Sequence, residues 1–271
     1  MPNRPLQVFC LRGIECPLVT VMNEATGWTP SLNTGIIAPE VPRIAARILR
    51  VRRYPGEGFT ELWVRVSGER EALARFMKLL SSLKGIYHQV VYENKFNKIL
   101  RVVLTHDAPR VCPAALTGDC PLHREEPGSM LKSTIIMPGG LLQEYIVARS
   151  NMLEKLEKSG CTVIDARPLD EMDYMLTQKQ ELALVYAYFS GYYNFPRKAS
   201  LKTLANRLGL SVSTLAEFLR RAESKVIEAF VRHELPHYMA SIILHGKKSF
   251  EDIEKSLGNG NKTEAKAAIE A

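Results

Sequence analysis

The sequence predicts an α+β protein. An N-terminal α/β sandwich (an antiparallel sheet with helices on one face) precedes a C-terminal all-α helix-turn-helix domain. Three observations carry this expectation. Residues 44–105 run strand, strand, helix, strand, strand, the order of an antiparallel sheet under a helix layer. Residues 200–221, SLKTLANRLGLSVSTLAEFLRR, read as two short helices about a tight turn. Positive charge is dense around that second stretch. Residues 177–233 hold nine Lys/Arg against four Asp/Glu, whereas residues 1–170 hold 22 against 17 over three times the length.

A chain of 271 residues has room for one large or two ordinary domains, and 46% hydrophobic content supplies real cores. No apolar run reaches the ~18 residues that a membrane helix needs. The start, MPNRPLQVFCLRG, lacks a signal-peptide apolar block, so a cytoplasmic location is expected. The net charge of +7 fits a polyanionic partner, although a solvated basic face gives the same count. Five cysteines, an odd number without an export signal, do not describe a disulfide framework.

In chain order, residues 3–24 contain two short apolar runs that read as strands, and 25–43 is rich in Gly, Pro, Thr and Asn and reads as loop. Residues 44–54 and 59–67 form a hairpin about PGEG, with Leu62, Val64 and Val66 alternating against Glu61, Trp63 and Arg65. A helix follows at 69–83, with Leu73, Phe76, Met77 and Leu80 on one face, then strands at 87–92 and 98–105. A loop of about twenty residues, RVCPAALTGDCPLHREEPGS, leads to a strand at 131–137 and a Gly139-Gly140 turn. Residues 141–159 read as an amphipathic helix with Leu142, Tyr145, Ile146, Leu153 and Leu156 inward, and 161–166 as a strand closing a β-α-β unit. The expected organisation is a domain at 1–169, a linker at 170–176, the helix-turn-helix domain at 177–246 and a helix or tail at 247–271.

Thr177 and Gln180 make a capping box for a helix over 178–191 that presents Leu182, Val185, Tyr186 and Phe189. YYNFPRK at 192–198 reads as an extended link. Ser200 caps the next helix, Leu201, Leu204, Ala205 and Leu208 form its apolar face, and Gly209 ends it. Ser211 restarts a helix whose inner stripe is Leu215, Leu219, Ala222 and Val226, and which continues through Phe230. Ser213, Thr214, Glu217, Arg220 and Arg221 fall off that stripe, where hydroxyls and charges meet base edges and phosphates in a DNA groove. Phe218 fits neither set and is expected to pack against a C-terminal helix or a partner subunit.

The string from Leu176 to Val231 resembles the DNA-binding domain of the archaeal bacterio-opsin-activator family of regulators. The likeness is carried by Leu176, Thr177 and Gln180; by Gly191, Tyr192, Tyr193, Pro196 and Arg197; by Ser200; by Leu208, Gly209, Leu210 and Ser211; and by Leu219, Arg220, Arg221 and Ala222. It covers about a fifth of the chain and implies a fold similar to the fourth region of bacterial sigma factors. Phe218 departs from the family, which often carries Arg or another polar residue there. More weakly, the first 170 residues resemble the cysteine-bearing α/β domains that precede such motifs.

The expected function is therefore sequence-specific binding of double-stranded DNA by a homodimeric transcription regulator, with the N-terminal domain sensing an effector, dimerising, or both. Ser213, Thr214, Glu217 and Arg220 are expected at bases, Ser211 at the helix start, Lys202, Arg207, Arg221 and Lys225 at phosphates, and Arg197 and Lys198 on the backbone ahead of the motif. The alternatives are an adaptor that binds transcription machinery with little DNA affinity, and a metal- or redox-gated regulator. For the latter, Cys120 and His123 have a spacing that puts sulfur and nitrogen on one Zn ion, with Cys112 in reach and a fourth ligand from His106, Cys10 or Cys16. A thiol switch and inert cysteines are the other readings of Cys10, Cys16, Cys112, Cys120 and Cys161, with His88 a further candidate helper. Arg43, Arg47, Arg50, Arg52 and Arg53 read as a guarded edge strand or a second phosphate surface. Gly139-Gly140 reads as a strand–helix turn or an anion-binding one. No Walker loop, HExxH or G-x-S-x-G is present, so an enzyme is not expected.

Overall fold

The alternating Leu62, Val64 and Val66 are all buried, and they sit near the middle of one eight-stranded antiparallel sheet. The computed structural model describes residues 5–13, 16–29, 43–95, 97–105, 122, 127–169 and 175–235. The chain divides into two compact units, whose described parts are residues 5–169 and 175–235. The strands are β1 (Leu6–Arg12), β2 (Ile44–Tyr54), β3 (Phe59–Gly68), β4 (Ile86–Glu93), β5 (Asn97–Thr105), β6 (Ser129–Met137), β7 (Gly140–Val147) and β8 (Thr162–Pro168), in spatial order β4-β5-β3-β2-β6-β7-β1-β8. The described helices of this unit are α1 (Pro17–Thr26), α2 (Arg70–Ser82) and α3 (Met152–Lys158).

Register explains where the helices go. Ile44, Ala46, Ile136 and Leu141 share one face and pack with α1 and α2. Tyr145 and Val147 lie on that same face of β7, and with Val8 and Cys10 of β1 they receive Met152 and Leu156 of α3. On the opposite face, Phe9 and Leu11 of β1, Ile135 and Met137 of β6 and Leu142 of β7 are buried together with Ala45 of β2. These strands are therefore apolar on both sides, apart from a polar set in which the buried Glu144 accepts from Gln7 (2.6 Å), Lys132 (2.9 Å) and Ser133 (3.1 Å). Among the described residues, no helix is long and apolar enough to cross a membrane.

Five expectations are corrected. The second apolar run of residues 3–24 is the helix α1, started by Pro17 and ended at Gly27. Residues 141–159 are not one helix: β7 forms a hairpin with β6 across Gly139-Gly140, and only Met152–Lys158 is helical. With β7 a strand, β8 closes no β-α-β unit; it pairs antiparallel with β1 at the end of the sheet. The Gly139-Gly140 turn is thus strand to strand, and its Gly139 amide donates to Asn23 Oδ1 at 2.8 Å. The arginine-rich β2 is interior at Ala46 and Arg47, which pair with β6. Beyond a register shift between Ile48 and Arg50, its paired residues face β3 alone among the described strands.

Candidate nucleic-acid interface

The second unit holds α4 (Gln178–Phe189), α5 (Leu201–Leu208) and α6 (Val212–Glu234). Each begins on a hydroxyl that relieves an unpaired first-turn amide. Thr177 accepts from the Gln180 amide while the Gln180 side chain accepts from the Thr177 amide at 3.0 Å. Ser200 Oγ accepts from the Thr203 amide at 3.1 Å, and Ser211 Oγ from the Thr214 amide at 3.0 Å. Gly209, at φ +65°, closes α5 in the left-handed conformation that a side chain resists. Its turn is held by the Leu210 amide on the Ala205 carbonyl, 3.0 Å.

The core joining these helices is small: Ala183, Ala187, Leu204, Ala205, Leu215 and Leu219. Three of its six members are alanines, which let helix axes approach closely. This overturns the expected inner face of α4. Leu182, Val185 and Phe189 are exposed, Tyr186 is half-buried, and Ala183, Ala187 and Gln180 face inward instead. Val185 and Phe189, with Leu184, Tyr188, Tyr193, Val226 and Ile227, line an apolar groove of about 560 Å³ between α4 and α6. Val226 is likewise exposed, so the inner stripe of α6 ends at Ala222. Phe218 is half-buried against the unit's own core, as are Leu208 and Leu210.

The expected extended link is a turn. The amides of Asn194 and Lys198 both donate to the Gly191 carbonyl, at 3.2 and 3.0 Å. Gly191 has φ +75°, and a Cβ there would lie 2.8 Å from Lys198 Cβ, so no larger residue fits. The turn leaves Arg197 exposed over the Tyr192 ring, 4.9 Å from its centroid, with Lys198 exposed beside it. Tyr193 donates to Glu223 at 2.5 Å; burial and that carboxylate raise the phenol above its ordinary value.

At about 100° per residue, Ser213, Glu217 and Arg220 stand opposite Leu215, Leu219 and Ala222 on α6, with Arg221 at their edge. All four are exposed. Ser224 lies on the same line and is exposed; a continuation of the four-residue spacing from Arg220 would have found it. Glu217 and Arg221 pair at 2.5 Å on the surface. Ser211 and Ser213 share a hydroxyl contact at 2.9 Å, and half-buried Thr214 meets Ser211 at 2.7 Å. Lys202 and Arg207 are exposed on α5. Lys225 is turned toward the start of the unit, where Nζ donates to the Met175 carbonyl at 3.0 Å.

The proposed zinc ligands Cys112, Cys120 and His123, with His106, lie outside the described residues. Among those described, no three His, Cys, Asp or Glu side chains cluster as a metal site would require. Cys10, Cys16 and Cys161 are buried cysteines outside any disulfide. His88 lies on β4, at the opposite end of the sheet from β1 and β8, and so cannot assist Cys10 or Cys161.

Residues 176–228 match the protein family described as HTH DNA binding domain. Over 59 residues the chain is 41% identical to a putative transcriptional regulator of Haloferax volcanii. Over 61 residues it is 39% identical to the bacterioopsin transcriptional activator of Halobacterium salinarum. Over 54 residues it is 44% identical to the dimethyl sulfoxide reductase transcriptional activator of Haloferax volcanii. These matches cover 22%, 22% and 20% of this chain, and 10%, 9% and 25% of the three relatives. The segment is thus a helix-turn-helix of the bacterio-opsin-activator type.

Proposed function

We propose that this chain is a sequence-specific transcription regulator that lays α6 in the major groove of double-stranded DNA as a homodimer, acting in the cytoplasm. The observation that supports this best is the solvent face of α6. Ser213, Glu217, Arg220, Arg221 and Ser224 form a polar line directly behind a capped helix, a Gly209 turn and a buried Leu215. Arg220 is the residue for a guanine edge, because its fork matches two acceptors there. Lys202, Arg207, Arg197 and Lys198 neutralise phosphates flanking the groove, joined by Arg221 once it leaves Glu217 and by Lys225 at the margin. One motif reads a short site, so two copies on a two-fold operator supply the needed length. The N-terminal unit serves effector sensing or dimerisation.

The test is selection of bound duplexes from a random pool. Arg220→Ala should relax the preferred sequence, while Lys202→Ala should weaken all duplexes about equally and lower the salt slope by roughly one. An unchanged selected profile for Arg220→Ala would mean that the helix is oriented wrongly. No salt-dependent duplex binding at moderate ionic strength would favour an adaptor of the transcription machinery instead.

A further inference from the structure

The DNA-binding reading leaves a polar cluster in the N-terminal unit unused. Arg12 follows Cys10 by two residues on β1, so both side chains leave the same face of the strand. The Arg12 guanidinium reaches across to the turn that enters β8. Its Nη2 lies 2.9 Å from Cys161 Sγ and 3.0 Å from Ser159 Oγ, and its Nη1 donates to the Ser159 carbonyl. Its Nε donates to Gln143 Oε1 at 3.2 Å, and the Tyr145 hydroxyl donates to that same oxygen at 3.2 Å. Gln143 in turn donates to Thr134 at 3.4 Å, so the guanidinium is held from three sides.

Arg12 is only 6% exposed. A buried cation costs several kcal/mol unless an anion or acceptors compensate it. Among the described residues no carboxylate pairs with Arg12, and the group beside it that can carry a negative charge is the Cys161 sulfur. Cys10 and Cys161 pack in the same buried cluster. The hydrogen bond from Cys10 lowers Cys161 to about 7, aided by Arg12 and opposed by burial, while the same bond and burial push Cys10 well up. The pair is therefore asymmetric, one sulfur poised as thiolate and one kept as thiol. The cation at 2.9 Å also decides what the pair can meet. It repels a metal ion and favours an electrophile that leaves as an anion.

We propose that Cys161 and Cys10 form a hydroperoxide-reactive dithiol, with Arg12 as its positioning residue. The Cys161 thiolate attacks one peroxide oxygen. The O–O bond breaks, hydroxide departs, and Cys161 becomes a sulfenic acid. The Cys10 sulfur then attacks the Cys161 sulfur, displacing hydroxide, which takes up the Cys10 proton and leaves as water. A second proton from solvent, the one Cys161 had released, converts the first hydroxide to water. In sum, two thiols lose two electrons to the peroxide, giving one disulfide and two waters. Cys161 itself is buried, 4% exposed, in the turn that enters β8 between the exposed Gly160 and Thr162. The site is independent of DNA binding and stands or falls separately.

The experiment treats the reduced full-length chain with hydrogen peroxide, followed by alkylation and peptide mapping. A disulfide linking the Cys10 and Cys161 peptides is expected, resolved by mapping from Cys16, Cys112 and Cys120. Cys161→Ser should abolish oxidation at this pair. Cys10→Ser should still react and leave a dimedone-trappable sulfenic acid at Cys161. Arg12→Met should slow the reaction near neutral pH, because the thiolate loses the cation beside it, and Arg12→Lys should recover part of the rate. The proposal is overturned if Cys10 and Cys161 both remain alkylatable after excess peroxide. It is also overturned if Cys10→Ser traps no sulfenic acid at Cys161.

Discussion

Leu215→Ala tests the helical unit most sharply, because sequence and structure disagree about how far the buried stripe of α6 extends. Leu215 is 0% exposed, while Val226, on the same stripe by spacing, is 43% exposed. Truncating a fully buried leucine costs about 2–5 kcal/mol through lost transfer energy and the cavity left behind. The unit runs from Asp170 to Pro236, and a domain of that size holds about 3–9 kcal/mol in all. The described buried residues clustered with Leu215 are Ala183, Ala187, Leu204, Ala205 and Leu219, so little can collapse into the gap. Leu215→Ala should therefore bring the unit close to unfolding at room temperature. Val226→Ala, which removes partly solvated methyls, should cost less than about 1 kcal/mol. The chain supplies its own internal reference: both tryptophans, Trp28 and Trp63, lie in the N-terminal unit. Urea titrations followed by helical ellipticity and by tryptophan fluorescence should show the helical transition moving to low denaturant in Leu215→Ala while the tryptophan transition stays in place. Equal losses for Leu215→Ala and Val226→Ala would refute the packing argument.

Three other outcomes follow from particular contacts. Gly191→Ala should destabilise the helical unit by at least about 1–2 kcal/mol in the same titration, because φ +75° disfavours a side chain and the new Cβ meets Lys198. Glu217→Gln removes the partner of Arg221 and a negative charge from the proposed groove face; duplex binding should tighten and its salt slope steepen, with little change in stability. Alkylation of Cys161 by iodoacetamide should rise with pH through about 7 and level off above it, since the thiolate is the nucleophile and its folded value lies below that of a free thiol. In Cys161→Ser the residual rate should keep climbing past that point.

Much of this was legible in residue order alone. β3, α2 and β5 announced themselves because each has one face in the core, so their apolar residues repeat at the period of the element. Thr177, Ser200, Gly209 and Ser211 marked helix ends because capping is local chemistry, settled within a turn of chain. The reading failed where period gave no information. β7 is buried on both faces between β6 and β1, so GLLQEYIV lacks alternation, and its spacing fits a helix as well as a strand. PLVTVMNEAT is β-branched and short enough to pass for a strand, yet Leu18, Val19, Val21, Met22 and Ala25 are drawn under α2 as a helix. On α4 the large apolar residues were assigned inward by size, but close helix approach selected Ala183 and Ala187.

Sequence by itself determined the two-part α+β organisation, the three capped helices, the Gly209 turn and the line from Ser213 to Arg220. Those follow from local hydrogen bonding and from a buried stripe within one element. Only the tertiary structure decided that α4 turns its larger apolar side outward, that Phe218 serves its own core, and that Lys225 points to Met175. It also decided that Arg12, Cys10 and Cys161, some 150 residues apart in sequence at their widest, meet at one point. Which side chains meet across the sheet depends on strand order and register, and those are set by the burial of all eight strands together, not by any one segment.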